Sequence, residues 1–244
     1  MKSSDNIGAF FDLDGTLLPP PSLELRFIFY LLACGLIGRV QFASYAAVFL
    51  TRIAGNKRAE VKANKAYFSR VPASSAQNWS ARFASHPLKF FSSGLRRLAF
   101  HFSQGHRIFL ITGTPAPLAQ LITGYFPAPL TIVATQLVAR HGCWTGEIAG
   151  DHMCGAAKQR AIVHLAGMHH LDLARSFAYG NSVGDLPMLE TVAYPAVVNP
   201  SNRLNRIARR RAWPILRWRE SQTVLPESNE TTKSFPCCAE FSSR

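Results

Sequence analysis

The chain has no uninterrupted apolar run long enough to span a bilayer. Phe27 to Ile37 carries no charge and a second apolar run reaches Leu50, but Gly38-Arg39-Val40-Gln41 separates the two. Neither half approaches the roughly 18 to 20 residues that a spanning helix needs. Two packed helices of a helical module are expected there, with peripheral contact of their outer faces with an anionic membrane as the alternative. Cysteine is scarce as well: Cys34, Cys143, Cys154, Cys237 and Cys238 are odd in number and contain no Cys-x-x-Cys pair. That argues against a disulfide framework or a cysteine zinc site, and for a reducing, cytoplasmic setting. No secretory hydrophobic region precedes the first strand, since Met1-Lys2-Ser3-Ser4-Asp5 leads straight into it. No internal repeat is present. Acidic residues are few, 14 Asp plus Glu against 27 Lys plus Arg, a formal charge of +13. A field of that sign favours anionic partners such as phosphorylated metabolites, anionic lipid or nucleic acid. Nucleic acid ranks lowest, because the series Arg203, Arg206, Arg209, Arg210 and Arg211 comes without an aromatic-basic platform and reads as a solvated helix face.

What is present is an apolar opening run, Ile7, Ala9, Phe10 and Phe11, followed at once by Asp12-Leu13-Asp14-Gly15-Thr16. The run suits a buried strand. Two acids directly after it need a cation, a substrate or solvent at the strand's carboxyl end, because an unpaired buried charge costs several kcal/mol (roughly). In open α/β sheets that end is where ligands bind. A solvated Asp-Gly turn is the competing reading.

Pro19-Pro20-Pro21 gives a stiff exit. Ser22 is a candidate N-cap for a helix beginning Leu23-Glu24-Leu25, and helical patterning continues to about His86. Helix and strand then alternate. A helix is expected over Pro87 to His101, a strand over Arg107 to Ile111 and a helix over Pro115 to Tyr125. A strand follows from Leu130 to Leu137, then a hairpin turning at His141-Gly142 that could cover a site. A helix at Ala156 to Ala166 and a strand at Ser176 to Tyr179 come next. The series ends with a helix at Leu186 to Thr191, a strand at Ala196 to Val198, a basic helix at Asn202 to Arg211 and an edge strand at Pro214 to Arg217. Strands separated by helices predict an α/β fold with a mainly parallel, Rossmann-like sheet flanked by helices. The expected organisation is a core of residues 1–18 and 88–220, an α-helical cap of residues 19–87 inserted after the first strand, and a disordered polar tail over residues 221–244.

Each core strand runs into a polar cluster: Asp12 and Asp14; Thr112-Gly113-Thr114, read as opening a helix whose free amides make an anion site; Lys158; and Gly180-Asn181-Ser182-Val183-Gly184-Asp185. Singly these are a helix cap, a surface lysine and an ordinary turn. Together they supply a carboxylate nucleophile, an acid/base, phosphate ligands and a cation site, the parts of a phosphomonoester hydrolase that works through an aspartyl phosphate.

On these residues, in this order and spacing, the chain resembles the haloacid dehalogenase superfamily of phosphohydrolases. The helical insert directly after the first motif is similar to the phosphoserine-phosphatase-like branch. The resemblance implies that Asp12 attacks phosphorus and that Asp14 protonates the leaving oxygen and then activates water. It assigns Thr112 and the Gly113 amide to phosphoryl oxygens and Lys158 to charge compensation. Asp12, Asp14 (through its carbonyl), Asn181 and Asp185 would form a Mg²⁺ shell. Two departures stand out. Many relatives carry Asp where this chain has Asn181, which removes one charge from a site for a hard cation. Phosphoserine phosphatases hold the substrate amine with a glutamate nine residues after the nucleophile, where this chain has Pro21; Glu24, a turn onward, is either a substitute or an ordinary first-turn helix acid. Arg26, Arg39, Arg52 and Arg58 are candidates for an acidic head group. The expected function is Mg²⁺-dependent hydrolysis of a small phosphorylated metabolite. The alternatives are a phospholipid or lipid head group at a membrane surface, or a binding protein that keeps only the scaffold.

Overall fold

A computed structural model describes residues 6–54, 64–126 and 129–224. Its centre is a seven-stranded sheet in the order β5-β4-β3-β1-β6-β7-β8. The strands are β1 (Gly8–Phe11), β3 (Arg107–Pro115), β4 (Leu130–Arg140), β5 (Cys143–Ala149), β6 (Phe177–Gly180), β7 (Tyr194–Val198) and β8 (Ile215–Leu216). All neighbours run parallel except β5, which turns back antiparallel on β4 as the expected hairpin. β1 is buried along its whole length, as a strand covered on both faces must be. Alternation sends Phe10 to one face, with Phe109, Val197 and the helices α6 (Ala156–His169) and α8 (Asn202–Arg210). Phe11 goes to the other, stacked on Tyr179 at 4.5 Å between ring centroids and packed with Leu98 of α4 (Ser92–Ser103). The chain leaves β1 towards β3 on one side and returns to β6 on the other. The carboxyl end of β1 is therefore the topological switch point, where an open α/β sheet forms its crevice.

The insert between β1 and the rest of the sheet is helical, as expected. α1 (Leu23–Ala33) starts at Ser22, whose hydroxyl accepts from Leu25 N at 3.2 Å. α2 (Arg39–Ala54), a short turn at Ala66–Phe68 and α3 (Ser75–Ser80) follow. Phe27 is the centre of its aromatic packing, 5.1 Å from Trp79 and 5.9 Å from Trp144 between ring centroids. Trp144 belongs to the hairpin, which serves as a dock for the insert. Arg70 N donates to Trp144 O, Trp144 N to Val71 O and Ala73 N to Gly142 O, each at 2.9 Å. Among the described residues no helix is long and apolar enough to cross a membrane.

Three local expectations are corrected. Leu88 and Phe91 fit a helical spacing, but Lys89–Phe91 forms a strand, β2, paired antiparallel with β9 (Ser221–Thr223), and α4 begins only at Ser92. A partner 130 residues away in sequence offered β2 a ladder that local periodicity cannot reveal. The same pairing takes the first residues of the expected tail into structure; the tail from residue 225 lies outside the described residues. Thr112-Gly113-Thr114 does not open a helix. β3 continues through it to Pro115 with a register shift against β4, and the helix that follows, α5 (Ala116–Gln120), is five residues long.

Candidate active site

β1 hands its backbone pairing on to the first acid: Asp12 N donates to Tyr179 O at 2.9 Å. The chain then folds into a tight loop, with Leu17 N and Leu18 N donating to Leu13 O at 2.8 and 2.9 Å and Gly15 N to Leu18 O at 2.7 Å. Gly15 has φ +82°, and a Cβ there would lie 1.9 Å from Asn181 Nδ2, so this position requires glycine on both counts. The loop turns Asp12 and Asp14 in different directions, into different surroundings.

Asp12 meets Lys158 and Asp185 at the base of the crevice. Lys158 Nζ donates to Asp12 Oδ1 and to Asp185 Oδ1, both at 2.6 Å, and the three residues are 6%, 3% and 2% exposed. Lys158 is delivered by the first turn of α6. Asp185 is delivered by the turn after β6, where its Oδ2 accepts from Asn181 N (3.1 Å), Ser182 N (2.9 Å) and Ser182 Oγ (2.9 Å). Thr16, fully buried, donates to Asp12 Oδ2 over a long 3.3 Å.

Asp14 stands apart, its Oδ1 accepting from Leu23 N of the insert at 2.7 Å and its Oδ2 from Thr114 Oγ1 of β3 at 2.5 Å. Thr112, also buried, accepts from Thr114 N at 3.1 Å, an arrangement in which its own O–H can still donate. Gly113 leaves room for the His152 ring, whose Cε1 would lie 3.2 Å from a Cβ at that position.

These environments set the charges. Burial and the Asp185 charge push Asp12 up to about 7, with Lys158 pulling the other way. Burial likewise raises Asp14, partly offset by the bonds from Thr114 and Leu23. Burial would also raise Asp185, but Lys158 and Ser182 outweigh it and hold the carboxyl below its usual range. Lys158 is disfavoured by burial yet raised by its two carboxylates, so it stays protonated. With Asp12 ionised, the base of the crevice carries two carboxylates against one cation. That surplus of negative charge, with oxygen donors throughout, suits a hard divalent cation. Among the described residues no group of three His, Cys, Asp or Glu side chains is poised for a metal. Any ion here would take its remaining ligands from the Asn181 amide, backbone carbonyls or water.

Of the residues expected from sequence, Asp12, Asp14, Thr112, Lys158 and Asp185 gather at this end of the sheet, with Gly113 beside Thr112 and with Asn181 against Gly15. Three participants lie within the expected motifs but had no role of their own there: Thr16, Thr114 and Ser182. Thr114 lies two residues from Thr112, but its place beside Asp14 depends on β3 continuing through Gly113, which the local sequence reads as a helix start. Glu24 is near but committed, both its oxygens accepting from Lys65 Nζ at 2.6 and 2.7 Å. Arg26 ties down the proline exit, donating through Nη2 to Pro19 O at 2.6 Å and through Nε to Pro21 O at 2.8 Å. Arg39 is exposed at the start of α2. Arg58 lies outside the described residues, as does the side chain of Arg52.

A mainly parallel sheet with an acid pair at its switch point, a lysine from α6 and a helical insert after the first strand define a doubly wound α/β protein with its ligand crevice at Asp12. The haloacid dehalogenase-like hydrolase family matches residues 9–190, and the chain belongs to it. Over 220 residues it is 30% identical to an inhibition of morphological differentiation protein of Streptomyces azureus, covering 85% of this chain and 77% of that one. Over 217 residues it is 30% identical to a probable phosphatase of Mycobacterium tuberculosis, covering 85% and 74%. The fold is shared with a probable phosphoserine phosphatase from Vibrio cholerae (TM-score 0.62, 13% identity, covering 88% of this chain and 62% of that one).

Proposed function

We propose that the protein is a Mg²⁺-dependent phosphatase of small phosphomonoesters that works through an aspartyl phosphate on Asp12. The observation that carries this is the buried Asp12–Lys158–Asp185 cluster, with Asp14 held separately by Thr114 and Leu23. Lys158 occupies Asp12 Oδ1, so Oδ2, with only the long Thr16 contact, is the oxygen that attacks phosphorus. As that bond forms and the ester P–O bond breaks, protonated Asp14 gives its proton to the leaving oxygen. Asp14, now ionised, takes a proton from water, which attacks phosphorus and returns Asp12 as a free carboxylate with release of inorganic phosphate. The Thr112 hydroxyl and the Gly113 amide hold phosphoryl oxygens, and Lys158 offsets the charge gathered there. Asp12, Asp185, Asn181 and the Asp14 carbonyl would hold Mg²⁺, which when bound supplies the positive charge that lets a carboxylate approach a phosphate dianion. Hydrolysis of p-nitrophenyl phosphate with and without Mg²⁺, alongside Asp12→Asn, is the test. Equal activity in wild type and Asp12→Asn would sink the reading and leave a scaffold that only binds.

A second reading, a phosphorylated lipid or its head group as substrate, is supported by the exposed apolar side chains of the insert, Leu25, Phe29 and Leu32 on α1 and Val40, Phe42 and Leu50 on α2. Co-sedimentation with anionic liposomes at low salt decides it: no binding removes the lipid substrate and peripheral membrane association together.

A further inference from the structure

Glu24, Lys65 and Tyr67 form a half-buried polar cluster on the insert, next in the chain to the residue that holds Asp14. The first turn of α1 links the two, since Leu23 N–H holds Asp14 and Glu24 is the next residue. The cluster saturates the Glu24 carboxylate. Lys65 Nζ donates to both oxygens at 2.6 and 2.7 Å, and the Tyr67 hydroxyl donates to Oε1 at 2.5 Å. Burial and the Glu24 charge hold the Tyr67 phenol far above its usual range, so it remains a donor. Lys65 is 3% exposed, and its position is fixed by Asn64, which donates through Nδ2 to Tyr45 O at 3.1 Å and accepts from Ala66 N at 3.0 Å. Arg26, two residues beyond Glu24, is held by its bonds to Pro19 O and Pro21 O. Among the described residues, Glu24, Lys65 and Arg26 therefore set one anion against two cations on this side of Asp14.

Asp14 protonates the leaving oxygen, so the leaving group lies on this side. Among the described residues of the insert an ammonium group there finds Glu24 already paired, with Lys65 and Arg26 as the neighbouring cations. A carboxylate or a second phosphate meets attraction, and a neutral alcohol meets neither. Resting on the phosphatase reading above, we propose that Glu24, Lys65 and Tyr67 form a leaving-group selection site that rejects amine-bearing phosphomonoesters and admits neutral or anionic ones, with Lys65 as the residue that decides it.

Phosphoglycolate and phosphoethanolamine, two-carbon esters of opposite leaving-group charge, are the probes for the full chain with Mg²⁺. Wild type is expected to show kcat/KM for phosphoglycolate higher by about tenfold or more. Lys65→Met, which frees Glu24, should shrink that ratio about tenfold, chiefly through a lower KM for phosphoethanolamine, and Glu24→Gln, which leaves Lys65 unopposed, should widen it. Should Lys65→Met not fold, the wild-type ratio and Glu24→Gln carry the test. Equal rates of wild type on the two esters, including none on either, or a ratio unmoved in folded variants, would overturn the selection site while hydrolysis of p-nitrophenyl phosphate leaves the phosphatase reading standing. Loss of p-nitrophenyl phosphate hydrolysis as well would overturn both.

Discussion

Asp14 is held by donors from two sides of the fold, Leu23 N–H from the insert and the Thr114 hydroxyl from β3. Both bonds favour its ionised form against burial, which favours the protonated one. Removing the hydroxyl in Thr114→Val should therefore raise Asp14 further. In the proposed mechanism ionised Asp14 is the base of the second step, so the acidic limb of the kcat profile should move to higher pH, and kcat should fall about tenfold to a hundredfold. Thr114→Ser should restore both. The neighbouring question is Asn181, whose amide lies against Gly15 at the rim of the carboxylate pair. Asn181→Asp adds a hard anionic donor to a site with two carboxylates, so the Mg²⁺ concentration for half-maximal rate should fall. An unchanged requirement in a Mg²⁺ titration would show that this residue is not a ligand.

At the scale of elements, the hairpin β4–β5 holds the insert over the core. Trp144, buried, packs on Phe27 and Phe68 of the insert, and the backbone on either side of it bridges to residues 70–73. Truncation in Trp144→Ala removes this aromatic centre and should cost about 3–5 kcal/mol. A fall in the denaturant midpoint checks it, and a change under 1 kcal/mol (roughly) would mean the insert is held by other contacts. Most elements were legible because their apolar periods are strong: β1, α6 and β7 lie where the pattern puts them. β2 and β9 were not, since each is three residues long and has no signal without the other. The extension of β3 through Thr112-Gly113-Thr114 was hidden for a similar reason, as proline at 115 and a following helix pattern read locally as a helix start.

For the whole molecule, buried groups couple folding to pH in opposite directions, His101 one way and Asp12 with Asp14 the other. His101, fully buried, is bonded to His106 Nδ1 at 2.8 Å and to the Tyr179 hydroxyl at 2.9 Å. Burial, His106 and Arg97 push it down to about 3. The unfolded chain binds this proton near pH 6.5 and the folded one does not, so stability is lost as pH falls below about 6.5. Asp12 does the reverse: folded, it titrates at about 7, so its protonation stabilises the native state as pH drops through 7, towards the unfolded value near 4. Chelated wild type should thus have a shallow stability profile between pH 7 and 5. In Asp12→Asn the His101 slope should emerge, at most about 1.4 kcal/mol lost per pH unit and lessened by Asp14, which burial also raises. Urea unfolding at three pH values measures it, and a flat profile in Asp12→Asn would contradict a neutral, buried His101.

The sequence by itself determined the alternation of strands and helices, the switch from apolar strand to paired acids at Asp12, and the four polar clusters. Those depend on short-range spacing, and spacing decides which residues share a face and which follow a strand end. Only the tertiary structure decided the partners. It brought Lys158 to Asp12 across 146 residues and Lys65 to Glu24 across 41, and it sent Asp14 to Thr114 instead of into the carboxylate pair. Such pairings are chosen by how separately formed elements pack, since a buried charge must find its counter-charge wherever the fold places it. For this reason the proposed chemistry at Asp12 could be read along the chain, whereas the pairing of Glu24 with Lys65 could not.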